Sequence, residues 1–244
     1  MKKLTAALFL CTCTLSLTAQ TTSTGNSNWK NDILEQPGDH FMISLTNDSW
    51  GGAPDSISSR IRSVASRGIA VALMINKPFK TDPRWAVAFG LGMSNSNIFF
   101  NRTAIDIAAL TTVLPFRALD SAQHFKKYKL STTFLEVPVE LRYSPNPQKG
   151  NKAMKFALGV KVGTMLNVHT KGKTLRDKDG NNINNYTVKE SKRIFFNGTR
   201  FAATARVGMG NFSLVGTYSL TSLLKDGAGP DIKPYQIGLC ISGL

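Results

Sequence analysis

Alternation with a period of two is the feature that most restricts what this chain can become. Eight segments interleave apolar residues with small, polar or charged ones, at 39–49, 67–79, 84–99, 128–143, 153–169, 199–210, 212–220 and 233–242. Successive side chains of a strand point to opposite faces, so each segment predicts a β-strand with one apolar face. That face carries Ile69, Val71, Leu73 and Ile75 in the second segment, and Trp85, Val87, Phe89, Leu91 and Met93 in the third. It carries Leu135, Val137, Val139, Leu141 and Tyr143 in the fourth, and Phe156, Leu158, Val160, Val162, Leu166 and Val168 in the fifth. The opposite faces hold Ala86, Ala88, Gly90 and Gly92, then Glu136, Pro138, Glu140 and Arg142, then Lys155, Ala157, Gly159, Lys161 and Gly163, then Arg200, Ala202, Thr204 and Arg206.

Segment length separates a membrane barrel from a water-soluble sandwich. Strands of soluble proteins average about 5–6 residues, whereas strands that cross a bilayer need about 9–11. Several segments here reach the longer value. The connections agree. Short turn signals at 80–83, 144–152 and 210–211 alternate with long connections at 50–66, 100–127, 171–198 and 221–232, as in outer-membrane barrels with short periplasmic turns and long external loops. A closed sheet also pairs every backbone group where lipid cannot. The expected fold is all-β: an eight-stranded antiparallel up-and-down transmembrane β-barrel over residues 39–244, with both chain ends in the periplasm.

The N-terminus carries its own signal. Met1-Lys2-Lys3, a short apolar run over 4–17 and Ala19 make residues 1–19 a secretory signal peptide. Residues 20–38 are polar and lack alternation, and are expected to form a periplasmic N-terminal segment. After processing only Cys240 remains, and His40, His124 and His169 are scattered, so no metal or other cofactor is expected. The formal charge is +15. Export argues against nucleic acid as the partner and leaves lipid phosphates and acidic glycans as the matched anions.

Charges on the non-apolar faces are expected to fill the lumen as an ion-pair network of Glu136, Glu140, Arg142, Lys155, Lys161, Arg200 and Arg206. An eight-stranded barrel is just wide enough for side chains to fill, and a buried charge demands a partner. Glu136 and Glu140 lie about 13 Å apart along a strand at ~3.3 Å per residue, wide for a carboxylate pair that cleaves glycosides. No serine stands in a constrained motif, so no catalytic residue is assigned. Trp85, Phe99, Tyr128, Tyr143, Phe201, Tyr218 and Tyr235, near strand ends, are expected to form interfacial girdles.

The stretch from Lys129 to Tyr143, with its Leu135-Glu136-Val137-Pro138 core, and the Phe156 to Gly163 strand after it, resemble the PorT-like outer-membrane β-barrel family of Bacteroidota. That resemblance implies an eight-stranded barrel in the outer membrane of a Gram-negative bacterium and no enzymatic activity. The expected function is structural, adhesive or envelope-interacting, exerted through external loops such as the basic 171–198 connection. A narrow pore or ligand conduit and a lipid-modifying barrel enzyme are the alternatives. Expected partners are outer-membrane lipid and lipopolysaccharide, the barrel-assembly machinery during biogenesis, and acidic glycans or other envelope proteins.

Overall fold

The computed structural model describes residues 40–119, 123–147 and 153–242. The expected signal peptide and residues 20–38 lie outside the described residues. In chain order the elements are β1 (Phe41–Gly51), α1 (Asp55–Ser58), β2 (Arg67–Pro78), β3 (Trp85–Phe100), β4 (Thr103–Ile105), β5 (Phe116–Ala118), β6 (His124–Tyr143), β7 (Met154–Arg176), β8 (Asn182–Glu190), β9 (Thr199–Met209), β10 (Phe212–Ser219) and β11 (Lys233–Ser242). Eight of these strands form the ring β6-β3-β2-β1-β11-β10-β9-β7, and β6 pairs with β7 to close it. Every pairing is antiparallel. The eight expected strands are all present, and the barrel is closed and up-and-down.

The two faces sort as the alternation requires. On the outside, Leu73, Leu158 and Leu239 are 62%, 68% and 61% exposed, while on the inside Ala88 and Cys240 are fully buried. The outward apolar positions of β7 run from Met154 to Leu166. That is about 40 Å along the strand at ~3.3 Å per residue, or about 30 Å of height at a tilt of ~40°, enough to span the hydrocarbon core of a bilayer. Trp85 and Tyr143 meet at the short-turn edge with ring centroids 4.7 Å apart. Phe201, Tyr218 and Tyr235 are exposed on the outer face.

Three expectations need correction. First, Val168 does not face lipid. Thr133 pairs with Asn167 and Phe134 with Met165, so Leu166 is an extra residue in β7. Such a bulge reverses the parity of all that follows, and Val168 is fully buried inside. Second, Tyr128 is not a girdle residue. It is buried, and its hydroxyl donates to the Ile105 carbonyl at 2.8 Å while accepting from the Ile105 N–H at 3.0 Å. Third, the 171–198 connection is not a plain loop. β7 continues to Arg176 and β8 turns back along it, so β6, β7 and β8 form a three-stranded ridge beyond the belt.

The long connections also fold inward. Ile57, Ile105, Ile107, Leu114, Phe195, Phe196, Leu223, Leu224 and Ile232 pack with the barrel-strand residues Trp50, Ile98, Phe100, Leu130, Phe134, Met165 and Val168 into one apolar cluster. The β4–β5 hairpin and α1 help roof it. This cap sits over the long-loop mouth of the barrel.

The belt makes a depth-dependent prediction. Val160→Arg, near mid-belt, should destabilise the barrel by about 2–4 kcal/mol, whereas Asn167→Arg above it should cost only about 0–1 kcal/mol. Denaturant unfolding in phospholipid vesicles measures both; equal effects would contradict the assigned belt.

Candidate functional site

The lumen holds the densest cluster of buried charge. Its geometry begins with backbone spacing on β6. Glu136 stands between Gly92 of β3 and Gly163 of β7, and Glu140 between Ala88 and Gly159. A Cβ at Gly159 would lie 2.3 Å from the Val139 carbonyl oxygen, and one at Gly163 would lie 3.0 Å from Glu136 Cγ. The glycines thus leave each glutamate the room to lie against the neighbouring strand while its carboxylate reaches inward.

Arginines from other strands complete the network. Arg200 Nη2 lies 2.6 Å from Glu136 Oε1, which also accepts from Ser94 Oγ at 2.9 Å. The Arg200 guanidinium stacks over the Phe134 ring at 4.8 Å. Glu140 Oε2 takes two partners, Arg142 Nε at 3.0 Å and Arg206 Nη2 at 3.2 Å. Arg206 Nη1 donates on to Ser213 at 3.3 Å, and Arg142 Nη2 contacts Met42 Sδ at 3.5 Å. All five charged residues are at most 9% exposed. The two guanidinium hydrogen bonds to Glu140 and the close Arg200–Glu136 ion pair, whose Nη2 is not aligned for a hydrogen bond, are what make ionised groups tolerable away from water.

The two lysines occupy different places. Lys161 is half-buried and lines a cavity of about 30 Å³ with Glu136, Glu140 and Thr204. That volume holds roughly one water. Lys155 is half-buried at the short-turn end, opposite Gly208 of β9. Met42, Met74, Ala88, Val215 and Cys240 pack against the ionic layer as an apolar cluster, with Ala88 paired opposite Glu140 and Val215 opposite Arg206. The interior therefore holds a mixed ionic and apolar filling within the barrel and an apolar cap at the long-loop end.

A second polar cluster went unread in the sequence. Asp48 of β1 is 1% exposed, accepts from Gln236 Nε2 at 3.0 Å, and is also bonded by Thr46 and Ser96. Its signal was available: Met42, Ser44, Thr46 and Asp48 share the inward parity of β1, as Gln236 and Cys240 share that of β11.

The arrangement binds its own carboxylates in guanidinium bonds rather than presenting them to a substrate. His169 sits on the ridge, outside the belt, where burial first, and then Lys189, Lys129 and Lys171, hold its imidazole below the usual range. Among the described residues no group of three His, Cys, Asp or Glu side chains could hold a metal ion.

Residues 39–225 match the family model described as an outer membrane protein beta-barrel domain. No curated protein matches the chain. The matched span stops short of β11, the strand that pairs with both β1 and β10 and so completes the ring.

Breaking one ion pair tests the network. Arg200→Met should destabilise the barrel by about 3–5 kcal/mol, because it leaves Glu136 buried without its cation. The double variant Glu136→Gln with Arg200→Met should recover most of that loss. Denaturant unfolding in vesicles reads both; a single variant as stable as the parent would show that the pair is not needed.

Proposed function

Since the chain belongs to the outer membrane protein beta-barrel domain family and is an outer-membrane barrel protein, we propose that it is a non-conducting, non-enzymatic barrel whose role is structural, adhesive or envelope-interacting and is exerted through its external face. The observation that carries this reading is the filled and capped lumen. Met42, Met74 and Val215 pack against the Glu136–Arg200 and Arg142–Glu140–Arg206 ion pairs, and the Phe100–Phe196–Leu224 cap covers the long-loop mouth. An ion passing through would have to displace a guanidinium from a carboxylate at 2.6–3.2 Å and cross the apolar cap, where a bare charge is strongly disfavoured.

The engagement of both lumenal glutamates by arginines supports the non-enzymatic part. The Leu135-Glu136-Val137-Pro138 strand supports a PorT-like kinship and, with it, a Gram-negative host of the Bacteroidota kind. In that setting the barrel-assembly machinery inserts the chain, and its standing partners are outer-membrane lipid and lipopolysaccharide, acidic glycans or other envelope proteins.

Planar-bilayer recording of the purified, folded barrel is the direct test. It is expected to give no discrete current steps in molar potassium chloride, and reproducible steps would replace this reading with that of a pore.

A further inference from the structure

The ridge carries a charge arrangement that nothing in the lumen explains. Lys129 of β6 pairs with Lys171 of β7, Lys171 pairs with Lys189 of β8, and Lys127 pairs with Lys173. Directly opposed side chains in a sheet stand about 4.5–5.5 Å apart at Cβ, where like charges are destabilising. Five lysines therefore share one face at mutual repulsion. They share it because the Leu166 bulge sets odd positions of β7 outward above the belt, in step with the odd positions of β6.

That face lacks its own counter-ions among the described residues. Lys129 Nζ donates to Asn97 Oδ1 at 2.6 Å and lies 5.7 Å above the Phe99 ring, both neutral groups. Glu190 pairs opposite Thr170, on the other parity of the ridge. Asp177 is tied up at the hairpin tip, where the Asn181 backbone N–H holds its carboxyl below the usual range. Burial and then Lys171 lower the Lys129 ammonium, as burial and the lysines lower His169.

Height selects the counter-ion. The last lipid-facing apolar residues of the two strands are Leu135 and Leu166. Lys171 lies about 16 Å beyond Leu166 along the strand at ~3.3 Å per residue, or about 12 Å higher at a ~40° tilt. Between them are the polar positions Thr133, Ser131, Asn167 and His169. A phospholipid headgroup layer is only about 5–8 Å deep on each side. Twelve ångströms above the acyl chains lies the level of a larger, sugar-based headgroup, and the lysine stems point out towards the surrounding lipid rather than over the capped lumen.

We propose that the outward face of the β6–β7–β8 ridge, formed by Lys127, Lys129, Lys171, Lys173 and Lys189, binds the phosphorylated acidic headgroup of an outer-leaflet glycolipid. This rests on the reading of the barrel as acting through its external face and assigns one partner class to a named patch of that face. Headgroup phosphates bridge the opposed ammonium groups and remove the cross-strand repulsion that the register imposes.

The test is lipid binding to the full-length folded barrel in detergent, followed by native mass spectrometry. The lipids are rough lipopolysaccharide, the same glycolipid stripped of phosphate with hydrofluoric acid, and phosphatidylglycerol. The intact glycolipid is expected to bind at least tenfold tighter than either of the others, with the preference shrinking as salt rises. The variant K127Q/K129Q/K171Q/K173Q/K189Q should lose the preference, while the all-arginine counterpart keeps it; heat-dependent gel migration confirms that both are folded. Equal binding of intact and stripped glycolipid, or an unchanged preference in the glutamine variant, overturns the proposal. Equal binding of phosphatidylglycerol overturns the height argument and with it the glycolipid. Full competition by the water-soluble phosphorylated core oligosaccharide would reassign the face to a soluble glycan. None of these results depends on whether the lumen conducts.

Discussion

Backbone pairing in a medium without water governs this structure. Each unpaired N–H or C=O in hydrocarbon costs several kcal/mol, so a sheet that crosses the membrane must have no free edge. The β6–β7 ladder, the longest in the molecule, closes the ring that begins with β1 against β11. Everything else follows from that closure. A closed ring of strands has an outside and an inside, and a period of two assigns every residue to one of them. Outside, lipid asks for Leu, Val and Phe. Inside, eight strands leave a space that side chains must fill.

The filling is where sequence and geometry are most tightly coupled. Long charged side chains fit the interior only because their cross-strand neighbours are small. Gly92 and Gly163 flank Glu136, and Ala88 and Gly159 flank Glu140. The ionic layer is not an obvious source of stability, since an apolar filling of equal volume often does as well. Its effect is on specificity. Arg200 of β9 must meet Glu136 of β6, and Arg206 of β9 must meet Glu140 of β6, so a register slip of β9 would leave charges buried without partners. The pairs fix which strands face each other across the barrel.

One inserted residue divides the molecule in two. Below Leu166 the parity of β7 puts Val160 and Val162 in lipid; above it the same parity puts Val168 and Thr170 under the cap. The bulge thus lets one continuous strand serve two environments. It supplies Val168 to the apolar roof and turns Lys171 and Lys173 outward. The ridge then rises past the belt with an apolar side against the roof and a basic side facing away from it.

The sequence by itself determined the eight barrel strands, their outward faces and the inward position of the charges, because alternation is a local property and membrane crossing makes it long and regular. It determined Glu136, Glu140, Arg142, Arg200 and Arg206 as lumenal for the same reason. The inward places of Asp48 and Gln236 were equally legible by parity. Only the tertiary structure decided what depends on contacts distant in the chain: which arginine meets which glutamate, the burial of Tyr128 against Ile105, and the inward folding of the long connections. It also decided the bulge at Leu166, because one extra residue leaves the composition of β7 unchanged and is visible only in how that strand pairs with β6. Parity can be read along a chain, but register exists only between two strands.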